Sequence, residues 1–265
     1  MKGTVPRALS IAGSDSGGGA GIQADLNTFA ALGVFGTTAI TAVTVQNTTG
    51  VSGYEELDPS TVHDQIAAVV SDIGVDAVKT GMLASARIIG AVAAAAEEVG
   101  LPNLVVDPVF VSKHGHPLLA PDAVDALRTE ILPLATLVTP NLPEAAGLAA
   151  FEVHTADDMR AAAEAIRDLG ANAVLVKGGH SGSDRGDDLF FDGRRLLWIE
   201  GPRLPTRNTH GTGCVLSAAI AASLARGDDL VTAVRKGKAF VTAAIEHSLS
   251  IGRGIGPVDP AWDRR

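Results

Sequence analysis

The chain has 265 residues and a formal net charge of −9; 46% of its residues are hydrophobic and 19% are charged. This content supports a substantial core, and an acidic chain without a Lys/Arg cluster argues against nucleic-acid binding. The single cysteine excludes an intrachain disulfide and a cysteine-based zinc site, and neither a secretion signal nor a bilayer-length apolar run is present, so we expect a cytoplasmic protein with no membrane partner.

Short apolar runs alternate with longer Ala-rich segments along the chain. Buried parallel strands are apolar throughout rather than alternating. The short runs therefore predict strands at residues 8–12, 38–45, 77–79, 104–106, 136–138 and 173–176. The longer segments predict helices at residues 22–32, 62–71, 87–99, 123–132 and 157–169. Asp192-Gly193 is a hairpin turn signal between predicted strands 188–191 and 196–199, and two more helices are predicted at residues 213–225 and 229–247.

This alternation predicts βαβ units, and hence an α/β fold with a mostly parallel sheet and helices on both faces. No repeat, linker or shift in composition divides the chain, so we predict a single domain spanning residues 1–265. Thr155 with Asp158, and Pro121-Asp122, are helix start signals, while glycines occupy expected helix ends. Open parallel sheets bind ligands beyond the carboxyl ends of their strands, so the residues that follow each strand are the candidate site.

A glycine-rich loop at residues 13–21 follows the first strand, and its glycines let the backbone approach a ligand closely. It is not the dinucleotide fingerprint, because Ile22 stands where the last glycine is needed, so a dehydrogenase is disfavoured. It is not a Walker A loop either, because Gly237-Lys238 is followed by alanine within a predicted helix. A plain flexible turn is the alternative. Asp25 is either a dipole-stabilising acid in the next helix or a ligand contact.

Polar side chains follow three later strands. Asp107 follows one strand, and Asn141 and Glu144 follow the next. Their oxygens suit a hydrated Mg²⁺ ion, although Asn141 and Glu144 also match a helix capping box. Lys177 ends a further strand, where it either contacts a phosphate or is solvated. The segment 113–116 (Lys-His-Gly-His) predicts a polar flap, and its glycine argues against a histidine metal site.

The glycine-rich turn at residues 208–214, with the sequence Asn-Thr-His-Gly-Thr-Gly-Cys, opens into an Ala-rich helix. The start of a helix presents unpaired N–H groups and the positive end of the dipole, so this turn predicts an anion site. Cys214, the sole cysteine, lies at its mouth.

Seven segments, taken in order, resemble the ribokinase superfamily and, within it, the hydroxymethylpyrimidine/phosphomethylpyrimidine kinases of thiamin biosynthesis. The segments are residues 11–26, 45–48, 79–83, 106–109, 139–145, 177–180 and 208–214. The resemblance covers nearly the whole chain. It implies a ribokinase-like three-layer sandwich with a small edge or flap region. It also implies that ATP phosphorylates 4-amino-5-hydroxymethyl-2-methylpyrimidine (HMP) to HMP phosphate and then to HMP pyrophosphate.

The resemblance also implies roles for individual residues. Those that hydrogen-bond or line the pyrimidine pocket are Asp25, Gln46, Ala20, Gly21, Met82 and Val109. Those that contact ATP or its phosphates are Lys177, Thr209, Lys238, Asn141 and Glu144, with Asp107 and Glu144 organising Mg²⁺, partly through water. Those in the γ-phosphoryl cradle are Gly211, Thr212, Gly213 and Cys214. The segment 113–116 falls where the family carries a covering flap.

Cys214 occupies a position where many superfamily members carry an aspartate base, and a cysteine there agrees with the pyrimidine-kinase branch. Because the start of a helix lowers the pKa of a thiol, we expect the Cys214 thiol to act as a base. The alternative is that its backbone N–H alone takes part.

Two other functions stay open. The first is a pyridoxal/pyridoxine kinase of the same superfamily; Gln46, whose amide is both donor and acceptor, favours the pyrimidine. The second is a non-catalytic protein that binds a thiamin precursor, which the complete set of phosphate-site residues argues against. Residues 38–45 and 54–57 predict a flank or edge of the sheet. Because an apolar edge needs covering and the enzymes that the chain resembles commonly pair, we expect a homodimer.

Overall fold

The computed structural model describes residues 5–120, 122–178 and 186–264. The strands in these residues are β1 (Arg7–Ser14), β2 (Phe35–Asn47), β3 (Gly50–Glu56), β4 (Ala77–Thr80), β5 (Leu104–Val106), β6 (Leu137–Val138), β7 (Val174–Val176), β8 (Asp188–Phe191) and β9 (Leu196–Ile199). The α-helices are α1 (Gly21–Ala31), α2 (Pro59–Asp72), α3 (Ala86–Val99), α4 (Ala123–Ala126), α5 (Leu142–Ala149), α6 (Ala156–Asp168), α7 (Thr212–Ala225) and α8 (Leu230–Glu246).

All of these strands belong to one sheet, in the order β3-β2-β1-β4-β5-β6-β7-β8-β9. The six strands from β2 to β7 in this order pair in parallel. The edges are antiparallel: β3 pairs with β2, and the hairpin β8–β9 pairs with β7. The predicted mostly parallel sheet and its late hairpin are therefore confirmed.

The core lies on both faces of the sheet, because neighbouring residues of the central strands are buried on opposite sides. In β5, Leu104 and Val106 pack with α2 to α6, whereas Val105 packs with α1, α7 and α8. A strand covered on both faces has no position for a solvated side chain, which explains its uniformly apolar sequence. The result is the predicted ribokinase-like sandwich of three layers.

The strand order also fixes the position of the ligand crevice. From β1 the chain crosses to β2 on one side, whereas from β4 it crosses to β5 on the other. Connections that leave neighbouring parallel strands in opposite directions open a crevice at the carboxyl ends of those strands. The site is therefore expected beyond the ends of β1 and β4.

Most predicted elements are confirmed, with shifts of a few residues at their ends. The helix predicted at 123–132 instead divides into α4, a π-helical turn and a 3₁₀ turn that contains Pro133, which lacks the N–H that helix continuation requires. Strand β3 and helix α5 were not among the predicted strands and helices, although β3 overlaps the expected sheet edge at residues 54–57 and α5 begins at the capping box of Asn141 and Glu144. The capping box of Thr155 and Asp158 is confirmed, as are positive φ angles at the three helix-end glycines, Gly33, Gly100 and Gly170. Pro121 lies outside the described residues.

No helix in the described parts of the chain has the length and apolar character needed to cross a lipid bilayer.

Candidate active site

A cavity of about 710 Å³ opens at the carboxyl ends of the parallel strands. It brings together every residue that the sequence placed in the site, with the exception of Asp25. The lining residues from that set are Ala20, Gly21, Gln46, Met82, Asp107, Val109, Asn141, Glu144, Lys177, Thr209, Gly211, Thr212, Gly213, Cys214 and Lys238. The strand ends therefore converge as the fold requires.

The glycine turn, residues 208–214, leads directly into α7, the most deeply enclosed helix of the fold. Residues 215–224 of α7 are all buried, because the helix packs between the sheet and its neighbours α1 and α8. The turn is held from behind by the C-terminal segment: His210 N–H donates to the Gly256 carbonyl at 3.1 Å, and Val258 N–H donates to the His210 carbonyl at 3.0 Å. The unpaired N–H groups of the first helical turn thus meet the cavity at a fixed position.

Gly211 is required by the conformation of this turn. Its φ angle is +81°, and a Cβ atom added there would lie 1.9 Å from the Gly19 carbonyl oxygen. The first glycine-rich loop therefore packs directly on the glycine turn, and a side chain at residue 211 is incompatible with both.

A cluster of opposite charges lies beside the start of α7. Lys177 Nζ is 3.0 Å from Asp107 Oδ1 and 3.8 Å from Glu144 Oε2. Asp107 also accepts a hydrogen bond from Ser217 Oγ of α7 at 3.3 Å. These side chains are mostly buried, and their contacts link the ends of β5 and β7 to α5 and α7.

Burial and neighbouring charges shift the pKa values of Glu144 and Lys177 in this cluster. Burial raises the pKa of Glu144 to about 7; the attraction of Lys177 lowers it and the charge of Asp107 raises it further. Burial would lower the pKa of Lys177, but Asp107 and Glu144 raise it overall. Two carboxyl groups thus share one ammonium group, and they have spare oxygen atoms for a further cation.

Asn141 and Glu144 form the helix capping box that their spacing suggests, and they also face the cavity. Asn141 N–H donates to Glu144 Oε2 at 2.8 Å, and Glu144 N–H donates to Asn141 Oδ1 at 2.9 Å, which completes a capping box at the start of α5. The same two residues line the cavity. The box therefore holds the Glu144 carboxyl group in place beside Lys177.

Lys238 reaches the cavity from α8 and is held by Asp188. Its Nζ atom lies 2.8 Å from Asp188 Oδ2, and Asp188 Oδ1 accepts the Gly178 N–H at 3.0 Å. Lys238 therefore supports the backbone next to Lys177. Gly179 and His180, which follow in the same segment, lie outside the described residues.

The structure contradicts the direct contact between Asp25 and a pyrimidine. The Asp25 side chain is completely buried, and Lys79 Nζ binds its two oxygens at 2.9 and 2.8 Å. Ser10 Oγ donates to the same carboxylate at 2.5 Å. Lys79, and not Asp25, lines the cavity. Burial would lower the pKa of Lys79, but the charges of Asp25 and Asp107 hold it above its ordinary value.

Substituting Lys79 by methionine is expected to lower the free energy of unfolding by about 3–5 kcal/mol, because it leaves the Asp25 carboxylate buried without its partner. Urea unfolding of the wild type and the variant measures this difference. The double variant with Asp25→Leu as well is expected to recover much of the loss. A cost below about 1 kcal/mol for Lys79→Met alone would show that Asp25 and Lys79 are not an ion pair.

The expected low pKa of the Cys214 thiol is wrong for this structure. Burial raises that pKa to about 11; Lys79 lowers it, and the nearby carboxylates of Asp25 and Asp107 raise it. The helix start is present, but desolvation outweighs its effect. The thiol is therefore neutral near pH 7.

Alkylation of the single cysteine provides a test. Because only the thiolate reacts, the rate with iodoacetamide in the folded protein is expected to rise about tenfold per pH unit from pH 7.5 to 9.5 without levelling off. The urea-unfolded chain, with an ordinary thiol pKa, should level off above about pH 9. A plateau below pH 9 in the folded protein would contradict the raised pKa.

The first glycine-rich loop is organised by Asp15. Its carboxylate accepts the backbone N–H groups of Gly17, Gly19 and Ala20 at 2.7–3.1 Å, and His210 Nε2 lies 2.9 Å away. Asp15 thereby joins this loop to the glycine turn. Gln46, at the end of β2, lies against the same histidine.

The flap segment covers one side of the cavity. Residues of the connection from β5 to α4 line it, including Lys113 and Gly115. The segment folds back on itself, since Val111 bridges to Pro117 and the His116 N–H donates to Ser112 Oγ at 3.0 Å. This position agrees with the predicted covering flap. Within the described residues, no group of three or more His, Cys, Asp or Glu side chains is arranged to hold a metal ion.

Several site residues received no role from the sequence, among them Asp15, Lys79 and His210. A usable signal existed for Lys79, because a lysine within an otherwise apolar strand needs a buried partner. No comparable signal distinguishes Asp15 and His210, since their contact spans 195 positions.

A ribokinase-like sheet whose strand ends meet an anion-binding helix start and a lysine–carboxylate cluster defines a phosphotransferase.

Comparison with known proteins identifies the family within this class. Residues 15–259 match the family described as phosphomethylpyrimidine kinase. A hydroxymethylpyrimidine/phosphomethylpyrimidine kinase from Mycobacterium tuberculosis is 55% identical over 262 residues, covering 98% of this chain and 95% of that protein. The chain belongs to the phosphomethylpyrimidine kinase family.

Solved structures agree with this fold. Bacillus subtilis pyridoxal kinase in complex with ADP is 41% identical with a TM-score of 0.92, covering 98% of this chain and 99% of that chain. Staphylococcus aureus pyridoxal kinase in complex with AMP-PCP and pyridoxal is 36% identical with a TM-score of 0.91, covering 99% and 96%.

Proposed function

We propose that this protein transfers the γ-phosphoryl group of ATP to HMP, and then a second phosphoryl group to HMP phosphate, which yields HMP pyrophosphate for thiamin biosynthesis. The observation that carries the proposal is the shared cavity, in which Gln46 lies on one side and the Lys177–Asp107 cluster on the other, with the start of α7 also on its wall. The name of the 55% identical relative supports both phosphorylations.

The pyrimidine end of the cavity is formed by the glycine-rich loop, the end of β2 and the segments after β4 and β5. Gln46 recognises the pyrimidine ring, because its side-chain amide offers both a hydrogen-bond donor and an acceptor. Apolar contact with the ring comes from residues that line the wall: Ala20, Gly21, Met82 and Val109. Asp25 does not contact the ring; its buried carboxylate holds the Lys79 side chain, which lines the cavity.

The phosphate end is formed by the cluster beside α7. Lys177 and Thr209 contact the phosphates of ATP, Asn141 positions Glu144, and Lys238 steadies the Lys177 segment through Asp188. The backbone N–H groups of residues 211–214 stabilise the charge that develops on the transferred group. This arrangement supplies alignment and electrostatic stabilisation, which phosphoryl transfer chiefly needs.

Mg²⁺ is the metal that we propose for this site. The donors fit it, because Asp107 and Glu144 present carboxylate oxygens within 4 Å of Lys177 Nζ, and Mg²⁺ prefers oxygen ligands and keeps several waters. When bound, the ion would neutralise charge on the phosphate oxygens. Asp107 and Glu144 would hold the ion, and the Lys177 ammonium group would offset part of their negative charge.

The Cys214 backbone has the firmer role in this proposal, since the thiol is neutral in the free protein. We expect Cys214→Ala to keep the KM for ATP within about threefold, because the variant retains the N–H group of the turn. Its kcat with saturating HMP decides the role of the side chain. Near-normal turnover would exclude the sulfur as the base, and a loss of about a hundredfold or more would support it.

Pyridoxal is the second candidate substrate, because solved neighbours at 36–41% identity are pyridoxal kinases. The deciding experiment measures kcat/KM for HMP, HMP phosphate and pyridoxal with ATP and Mg²⁺. We expect both pyrimidines to be preferred. A value for pyridoxal about a hundredfold higher would overturn the proposal, and pyrimidine binding without ATP consumption would instead indicate a binding protein.

We also propose that the protein is a cytoplasmic homodimer. Val43 and Val45 project from β2 with 46% and 65% of their surface exposed, beside the edge strand β3. An apolar edge of this kind is normally covered. Val45→Asp is therefore expected to convert a dimer into a monomer in light-scattering measurements, and a wild-type monomer at micromolar concentration would contradict the dimer.

A further inference from the structure

His210 lies between two side chains of the site. Its Nε2 atom is 2.9 Å from Asp15 Oδ2 and 3.3 Å from Gln46 Nε2. His210 and Asp15 are both at least 95% buried, so bulk water does not separate these contacts. The proton on Nε2 therefore decides how the Gln46 amide meets the histidine.

Asp15 settles where that proton is. Burial would raise the pKa of Asp15, but the hydrogen bonds from His210, Gly17 and Ala20 lower it overall. Asp15 is consequently a carboxylate near pH 7, and a carboxylate only accepts hydrogen bonds. The contact at 2.9 Å thus requires a hydrogen on His210 Nε2. The amide nitrogen of Gln46, which also carries hydrogens, cannot bond to the same atom.

A second conflict, between two acceptors, occurs at the other end of the amide beside Thr44. Thr44 Oγ1 lies 3.1 Å from the Ser14 carbonyl oxygen and 3.2 Å from Gln46 Oε1. Both neighbours are acceptors, and a hydroxyl group has a single hydrogen to donate. With its oxygen toward Thr44, the Gln46 amide therefore leaves one contact unsatisfied at each end.

Rotating the terminal amide by 180° resolves both conflicts. Its oxygen then faces the His210 Nε2–H, whose single hydrogen it shares with Asp15 in a three-centre hydrogen bond, and its nitrogen donates to Thr44 Oγ1, which keeps its own hydrogen for Ser14. Nitrogen and oxygen of an amide differ little in size, so hydrogen bonding decides between the two orientations. Only the rotated orientation places an acceptor against the His210 Nε2–H and a donor against Thr44 Oγ1.

We infer that Asp15 and His210 are positioning residues that hold the Gln46 amide oxygen toward His210, and thereby select a ring with an amino group beside a ring nitrogen. This inference rests on the proposed function and deepens it. One N–H group and one lone pair of the fixed amide stay available for the ligand. They match the ring nitrogen acceptor and amino donor of a 4-aminopyrimidine. The 4-oxo analogue reverses both, with a carbonyl acceptor and a ring N–H donor.

The experiment compares kcat/KM for HMP and its 4-oxo analogue, 5-hydroxymethyl-2-methylpyrimidin-4-one, in three proteins. The wild type is expected to prefer HMP by about a hundredfold or more, because a site built for one donor–acceptor pattern rejects the reverse. His210→Leu removes the N–H that fixes the amide, which can then rotate to suit either ring. The preference is expected to fall about tenfold or more. His210→Gln keeps an N–H group close to the Nε2 position and should retain it.

The ratio of kcat/KM for HMP to that for the 4-oxo analogue separates positioning of Gln46 from a general loss of activity, because a disturbed glycine turn slows the reaction of both pyrimidines equally. A ratio for His210→Leu within about twofold of the wild type would overturn the inference. Should His210→Leu not fold, Thr44→Val removes the partner of the amide nitrogen and must lower the same ratio for the inference to hold. Turnover of neither pyrimidine by the wild type would instead contradict the proposed function itself.

Discussion

Asp107→Asn is expected to lower kcat by about a thousandfold or more, the largest effect of any single substitution in this site. The change removes a negative charge while it keeps the size of the side chain. Lys177 loses its closest carboxylate, at 3.0 Å, and the proposed Mg²⁺ loses one of its two. Steady-state kinetics with saturating ATP and HMP measure the loss.

Ser217→Ala is the matched control, because it removes the hydroxyl that lies 3.3 Å from Asp107 and also contacts the Gly213 and Cys214 carbonyl oxygens at 2.9 and 3.1 Å, while it leaves the Asp107 charge in place. Its kcat is expected to fall less than about tenfold, in line with one neutral hydrogen bond to a charged group. Thermal unfolding of both variants checks that the loss is not one of folding. An Asp107→Asn enzyme within tenfold of the wild type would remove Asp107 from the catalytic centre.

Gly211→Ala is expected to lower kcat by about a hundredfold or more. The added Cβ atom would lie 1.9 Å from the Gly19 carbonyl oxygen, so either the glycine turn or the first glycine-rich loop must move. A displacement of about 1 Å in an aligned site costs about a hundredfold in rate. The effect should fall on turnover with HMP and with HMP phosphate alike, since both reactions use the same turn.

Gly227→Ala separates this collision from backbone strain. Gly227 has a φ angle of +89°, close to that of Gly211, but a Cβ atom there meets nothing within 4 Å. The two variants share the cost of a left-handed alanine, about 1–2 kcal/mol of stability. Only Gly211→Ala is expected to lose turnover. Equal loss in both, or none in either, would mean that the contact between turn and loop is not needed for catalysis.

The parallel core was predictable because its strands are buried on both faces and so are uniformly apolar, as in Leu104–Val106. The hairpin was predictable because Asp-Gly between two apolar runs suits one kind of turn. Only the end of strand β3 was expected at the sheet edge, because its sequence, Gly50–Glu56, holds two glycines and few apolar residues, and its position depends on pairing with β2. That pairing is a tertiary property.

Most of the cavity was also predictable, since the residues that follow parallel strands converge by topology. The errors concern charge. The sequence indicates that Lys79 needs a buried partner, but it does not show that this partner is Asp25, 54 residues away. The pKa of Cys214 was misjudged for the same reason: the start of a helix is visible in the sequence, whereas burial and neighbouring carboxylates are set by the whole fold.

The most direct test of the central claim is a ³¹P NMR time course of the purified protein with HMP, ATP and Mg²⁺. The account predicts that a phosphate monoester forms first and is then converted into a diphosphate ester, as ATP becomes ADP. ATP that stays unchanged with HMP but is consumed with pyridoxal would contradict the account, as would a reaction that stops at the monoester in excess ATP.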